Sequence, residues 1–312
     1  MSAIRLDEEH AASRLIFICF AAIYLIWGST YLAIHFLIQT IPPFGAGSAR
    51  FILAGAALYL LARWRGNARP KPRQWLTAGL AGLLMTLCGN GIVMWAQQRV
   101  PSGLAAVLVT TTPMWMVLLG VWLREQRFTL WMGAGLGLGF GGVALLVLQG
   151  SIDGPLPLVN LLMIPLASAC FSAGAFLLRR GDLPASSLMS SGMQMLAGGA
   201  LFGLCSLVAG EWRNFDPAGV SAISLAALAY LIVFGSIIAY SAFSYLARRV
   251  SPAQLATYAY VNPLIAVLLG WLLGHESFSA SMALGAGLVI GAVILLMKER
   301  GEGPAARGEG KT

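Results

Sequence analysis

Ten long runs of apolar residues divide the chain, at 15–37, 44–62, 75–95, 103–123, 129–148, 156–178, 188–209, 219–246, 252–274 and 279–297. Each approaches or exceeds the about 20 residues that an α-helix needs to cross a bilayer. The separators are short and carry proline, glycine or charge: Pro42-Pro43, Pro70-Lys71-Pro72, Pro101-Ser102, Gly154-Pro155, Asp216-Pro217 and Ser251-Pro252. They leave no room for an extramembrane domain. The pattern predicts an all-α integral membrane fold of ten transmembrane helices. The first run follows a short tail, residues 1–14, of mixed charge. It is too long for a signal-peptide core and lacks a small-x-small cleavage pattern, so it reads as a retained helix. The polar, glycine-rich segment 298–312 is expected to be a disordered tail.

Composition agrees. Of 312 residues, 58% are hydrophobic and only 10% are charged, against about 25% charged in soluble domains. The net charge of +8 raises nucleic acid as a partner. The basic residues, however, sit in short clusters between apolar runs, without interleaved aromatics, and this excludes a nucleic-acid-binding reading. Their distribution instead sets orientation. With the N-terminus in the cytoplasm, all but three of the 20 basic residues fall in cytoplasmic segments. The exceptions are Arg99 and Arg213 in outer loops and Arg50 within a helix. An even number of spans with both termini cytoplasmic follows.

The chain also repeats itself. An offset of 150 residues lays Pro113 on Pro263 and Val117-Leu118-Leu119-Gly120 on Val267-Leu268-Leu269-Gly270. Phe128, Gly135, Gly137 and Gly141 then meet Phe278, Gly285, Gly287 and Gly291. The repeat unit is five helices, residues 15–148 and 149–297, and an odd unit turns the second copy upside down. Inverted five-helix repeats are a design of secondary transporters, with the substrate site near the midplane between the halves.

Few residues within the runs carry chemistry. All twelve acidic residues fall in loops, tails or helix ends, which argues against a buried carboxylate relay. Arg50 is the one clear charge inside a span, about 9 Å from the helix start. It either attracts a substrate anion or snorkels and caps neighbouring carbonyls. Trp27, Asn90, Gln194, Tyr240, Tyr258, Tyr260 and Asn262 are uncharged polar groups within spans. Singly each fits interhelix hydrogen bonding; together, with aromatic rings interleaved, they suit a pocket for polar-apolar molecules. Pro113 and Pro263 each free a carbonyl one turn earlier, and the resulting kinks serve gating or a static bend. Gly137-x-Gly139-x-x-Gly142 lies inside an apolar run, where close helix packing explains it better than a dinucleotide fold. Cys19, Cys88, Cys170 and Cys205 have no C-x-x-C neighbour and read as small buried hydrophobes. His10, His35 and His275 are too scattered for a metal site or a catalytic relay.

Across these runs the sequence resembles the EamA-type branch of the drug/metabolite transporter superfamily, over about residues 15–297. The resemblance is carried by Ile26-Trp27-Gly28-Ser29-Thr30-Tyr31, Ala49-Arg50-Phe51, Gly89-Asn90-Gly91 and Val100-Pro101-Ser102-Gly103-Leu104-Ala105-Ala106, then Thr112-Pro113. In the second half it continues through Gly235-Ser236-Ile237-Ile238-Ala239-Tyr240, Val250-Ser251-Pro252-Ala253, Thr257-Tyr258-Ala259-Tyr260-Val261-Asn262-Pro263 and Gly274-His275-Glu276. It implies two inverted repeats around a central cavity, and export of amino acids, metabolites or drug-like compounds. The family pattern also pairs the second and seventh helices, so Arg50 and Gln194 are expected to face one cavity. Arg124-Glu125-Gln126-Arg127 departs from the family's usual Gly-Glu, so that loop need not match Gly274-His275-Glu276.

The expectation is therefore a secondary transporter of the bacterial inner membrane, not an enzyme, exporting a small solute by alternating access without cofactor or metal. The lipid bilayer is its other partner, and a homodimer is compatible with the sequence. A membrane scaffold or receptor would lack the cavity. A membrane enzyme would need a carboxylate, histidine or cysteine cluster at a helix end.

Overall fold

A computed structural model describes residues 2–124, 128–149, 157–213, 215–247, 249–250, 258–276 and 280–301. Among them every regular element is helical, as lipid demands of a chain that must satisfy its backbone internally. Seven helices have the length and apolarity to cross a membrane. They are α1 (Ser2–Leu37, membrane portion Arg14–Leu37), α2 (Pro43–Trp64), α3 (Pro72–Ala96), α4 (Ser102–Trp122), α6 (Leu158–Arg180), α7 (Ser187–Val208) and α8 (Ala222–Leu246). Shorter apolar stretches lie in α5 (Leu130–Gln149), α9 (Tyr258–Leu273) and α10 (Ala280–Gly301), which occupy the remaining three apolar runs. The N-terminal tail proves helical: α1 begins at Ser2, because its first residues include no proline or glycine to stop it. The segment expected to be a disordered tail lies largely outside the described residues.

Packing is two-fold. The second helices of the two halves, α2 and α7, lie together, as do the fifth helices, α5 and α10. Helix α1 packs on α8 and α9, and its counterpart α6 packs on α3 and α4. The ends of α1, α7 and α9 and the starts of α2, α4 and α8 gather on one face. There Thr40 meets Ser221 and Ser224, and Glu211 and Glu276 reach the starts of α2 and α4. Helix α6 ends on the opposite face, where Gln74 donates to Asp182 at 3.3 Å. The two first helices thus run in opposite directions, the polarity that an inverted repeat calls for.

Backbone irregularities recur in pairs. Both third helices contain a π segment, Gly82–Gly91 in α3 and Leu231–Ile238 in α8. Left-handed residues among those described are Gly66 and Gly210, just past α2 and α7, and Arg124 and His275, just past α4 and α9. At Gly66 the turn closes with Asn67 N–H on Ala62 O (3.1 Å) and Gly66 N–H on Arg63 O (3.0 Å), a Schellman ending that suits glycine. Arg124 and His275 adopt the same region without glycine's freedom. The Arg124 loop therefore opens as its counterpart does, despite its different sequence; Glu125–Arg127 lie outside the described residues.

Two helix starts are capped from the other half. Pro42 and Pro101 precede α2 and α4 and supply no side-chain cap. Glu211 instead accepts from Phe44 N (3.1 Å), Gly45 N (2.8 Å) and Ser206 Oγ (2.7 Å). Glu276 accepts from Ser102 N (2.6 Å) and Gly103 N (2.9 Å). A carboxylate at a helix N-terminus satisfies orphan N–H groups and complements the dipole.

The α2–α7 seam relies on missing side chains. A Cβ at Gly55 would stand 2.7 Å from Leu196 N and 3.0 Å from Gly192 O. Close backbone approach of this kind is how helices associate in lipid. We expect Gly55→Ala to lower the thermal midpoint in detergent, at a cost of about 1–3 kcal/mol. Gly141→Ala, where nothing lies within 4 Å of the added carbon, should be neutral or stabilising by up to about 1 kcal/mol.

Candidate functional site

A cavity of about 90 Å³ lies between the halves. Trp27, Thr30, Tyr31 and Ile34 of α1, Arg50 of α2, Gly89, Asn90 and Val93 of α3, and Val109 and Thr112 of α4 line it from the first half. Ala167, Ser168 and Phe171 of α6, Tyr240 of α8, and Tyr258 and Asn262 of α9 line it from the second.

The irregular backbone faces this cavity. Pro113 has no N–H to offer Val109 O, and α4 breaks at Thr110–Thr111 into Ser102–Val109 and Thr112–Trp122. The freed Val109 carbonyl accepts instead from Thr112 Oγ1 (2.7 Å) and Ser168 Oγ (3.3 Å). Pro263 sits within α9 without breaking it. Beside it Asn262, its amide oriented by its neighbours, donates to Tyr24 O (3.1 Å) and Tyr258 O (3.2 Å).

Side chains from opposite halves meet at the two π segments. Asn90 Nδ2 donates to Tyr240 Oη at 3.0 Å and to Met85 O at 2.9 Å. Asn90 and Tyr240 are separated by the 150-residue repeat offset, so equivalent positions of the two copies touch. Trp27 Nε1 donates to Gly235 O at 3.3 Å. Its ring packs on Tyr240 and Tyr258, each at 5.4 Å, and on Phe243 at 5.1 Å. Arg50, 2% exposed, donates through Nε to Ser236 Oγ at 2.8 Å and stacks 4.6 Å over Phe51. Its Nη1 is buried without a hydrogen-bond partner.

Six of the residues expected from sequence thus converge: Trp27, Arg50, Asn90, Tyr240, Tyr258 and Asn262. Gln194 does not join them. It is buried between α7 and α3, donating to Thr86 Oγ1 at 3.4 Å and Met85 S at 3.6 Å, and serves as interhelix glue. The Tyr260 side chain lies outside the described residues. Tyr31, Ser168, Phe171 and Ser236 were not singled out as lining or anchoring groups. Ser168 and Ser172 one turn apart in an apolar run, both bonding to α4 carbonyls, carried the signal for that face of α6. The described residues hold no cluster of three potential metal ligands.

A family model described as the EamA-like transporter family matches residues 14–148 and again 158–298. The chain belongs to the EamA-like transporter family. This EamA protein is 39% identical over 280 residues to the inner membrane transporter YedA of Escherichia coli (strain K12), with 88% of each chain covered. It is 29% identical over 310 residues to the S-adenosylmethionine/S-adenosylhomocysteine transporter of Chlamydia trachomatis, covering 91% of this chain and 92% of that one. A solved crystal structure, 22% identical, shares the fold with a TM-score of 0.62 over 91% of this chain and 97% of its own. EamA membership makes the chain a membrane transporter, a class that moves solutes rather than converting them.

The Asn90–Tyr240 contact is testable by a double-mutant cycle. Asn90→Ala, Tyr240→Phe and their combination should reveal a coupling of about 0.5–1.5 kcal/mol in thermal unfolding. Strict additivity would show that the hydrogen bond contributes nothing.

Proposed function

We propose that this protein is a secondary transporter that exports small metabolites, amino acids or drug-like compounds by alternating access. Its two halves, residues 15–148 and 149–297, form inverted repeats that rock about the cavity between them. Both termini face the cytoplasm of a cell whose inner membrane holds the protein. Export is favoured by the family resemblance; topology favours the cytoplasmic termini through the placement of Lys and Arg.

The observation that carries this reading is the cavity itself. Seven helices from the two halves line it; its wall includes the π segment of α3 and the Pro113 break, and the π segment of α8 holds the lining residues Trp27 and Arg50 through Gly235 and Ser236. Irregular backbone is tolerated at membrane depth only inside protein or beside water, and π segments and proline breaks are where helices bend. These positions are the natural pivots. On the face carrying Glu211 and Glu276, carboxylates from the second half hold the starts of α2 and α4. Their bonds form a seal that rocking must release before that face opens.

The direct test is counterflow in proteoliposomes against a panel of amino acids and metabolites, with and without a pH gradient. Saturable uptake accelerated by internal solute is the expected result. A correctly inserted protein that exchanges nothing across the panel would count against transport through this cavity. Trp27→Ala should reduce flux about tenfold, or about 1.4 kcal/mol, while membrane insertion persists.

A further inference from the structure

We infer that the cavity binds an organic anion, a small carboxylate with an apolar body, and that Arg50 is the residue that reads its charge. The inference rests on the transport reading for its biological meaning and on the cavity's own chemistry for its content.

An ionised side chain within a membrane span is costly unless it is paired or faces a polar cavity. Arg50 is almost wholly buried and faces the cavity. It has no carboxylate partner among the described residues. One of its five donors is accounted for by Ser236, and Nη1 has no acceptor at all. A desolvated donor left unmade costs far more than a typical bond gains, so the native partner of this nitrogen is sought among solutes. Ser236 fixes the guanidinium through Nε, which leaves the Nη edge to present its hydrogen atoms. That planar edge matches two carboxylate oxygens side by side.

The rest of the wall sets the body of the solute. Among the described lining residues Arg50 is the one charged side chain, so the cavity carries a net positive charge. A cationic solute would meet that charge with no carboxylate to offset it. Trp27, Tyr31, Phe171 and Tyr258 supply aromatic surface, which favours an apolar portion over a bare inorganic ion.

Three isosteres separate charge from shape: 3-phenylpropionate, 3-phenylpropionamide and 3-phenylpropan-1-amine, titrated at neutral pH against the purified full chain by tryptophan fluorescence. The carboxylate should bind at least about tenfold more tightly than the amide and the amine. Arg50→Gln should bring the three within about twofold, and Arg50→Lys should retain part of the preference. The order in the unmutated protein needs no variant, so a folding defect in Arg50→Gln does not rescue the inference. Amide or amine binding as tight as carboxylate, no saturable carboxylate binding, or a preference that survives in folded Arg50→Gln would each overturn it. Counterflow keeps the two proposals apart. Arg50-dependent carboxylate binding without exchange would refute transport and leave the anion site standing. Exchange of solutes with no charge order would refute the anion site and leave transport standing.

Discussion

Lipid offers no hydrogen bonds, and the architecture follows from that constraint. Every backbone N–H and C=O at membrane depth must find a partner within the protein, so departures from α-helix are confined to places that supply one. In this chain the π segments of α3 and α8 and the break in α4 all turn toward the seam between the halves. Side chains bond to backbone carbonyls there: Thr112 and Ser168 to the Val109 O that Pro113 frees, Trp27 to Gly235 O and Asn90 to Met85 O. The polar cavity is the price of irregularity and also its purpose, since the same groups form the wall that a solute would meet.

The two halves are joined where their symmetry brings equivalent positions together. Asn90 and Tyr240 touch across the repeat offset, and α2 and α7 meet through glycines that let backbones approach within van der Waals contact. The paired left-handed residues after α2 and α7, and after α4 and α9, show that the repeat is conserved in backbone geometry where letters have diverged. Arg124 and His275 make the point, because neither is the glycine that such a position favours. The halves are not equal in chemistry. Arg50 belongs to the first, its anchor Ser236 to the second, and the two carboxylates that cap helix starts in the first half come from the second.

Much of this was legible in the chain. Apolar runs of bilayer length located the helices to within a few residues, and the offset of Pro113 on Pro263 announced the repeat. Polar side chains are so scarce inside the runs that six of those named converge on the cavity. Gln194 was misplaced because an offset fixes depth in the membrane but not azimuth about the helix axis, and the polar side of α7 turns toward neighbouring helices, Ser191 to Ser244 and Gln194 to Thr86, rather than toward the cavity. The π segments were invisible because they change hydrogen-bond register, not composition. Phe171 hid among apolar neighbours that face lipid, where nothing in a single sequence separates an inward ring from an outward one. The capping roles of Glu211 and Glu276 depend on loops meeting across the two halves, which local sequence does not encode. The N-terminal residues looked like a tail because their charge ends the apolar run, although the helix continues through them to Ser2.

The account stands or falls on water reaching the seam from each side in turn. Val109 lines the cavity beside the break in α4, and a single cysteine there, in a chain whose four native cysteines are replaced, reports on that access. A membrane-impermeant maleimide applied to sealed vesicles of either orientation should modify Val109→Cys from both sides. Labelling from one side only, or from neither, would contradict the claim that two rocking halves enclose a wet site.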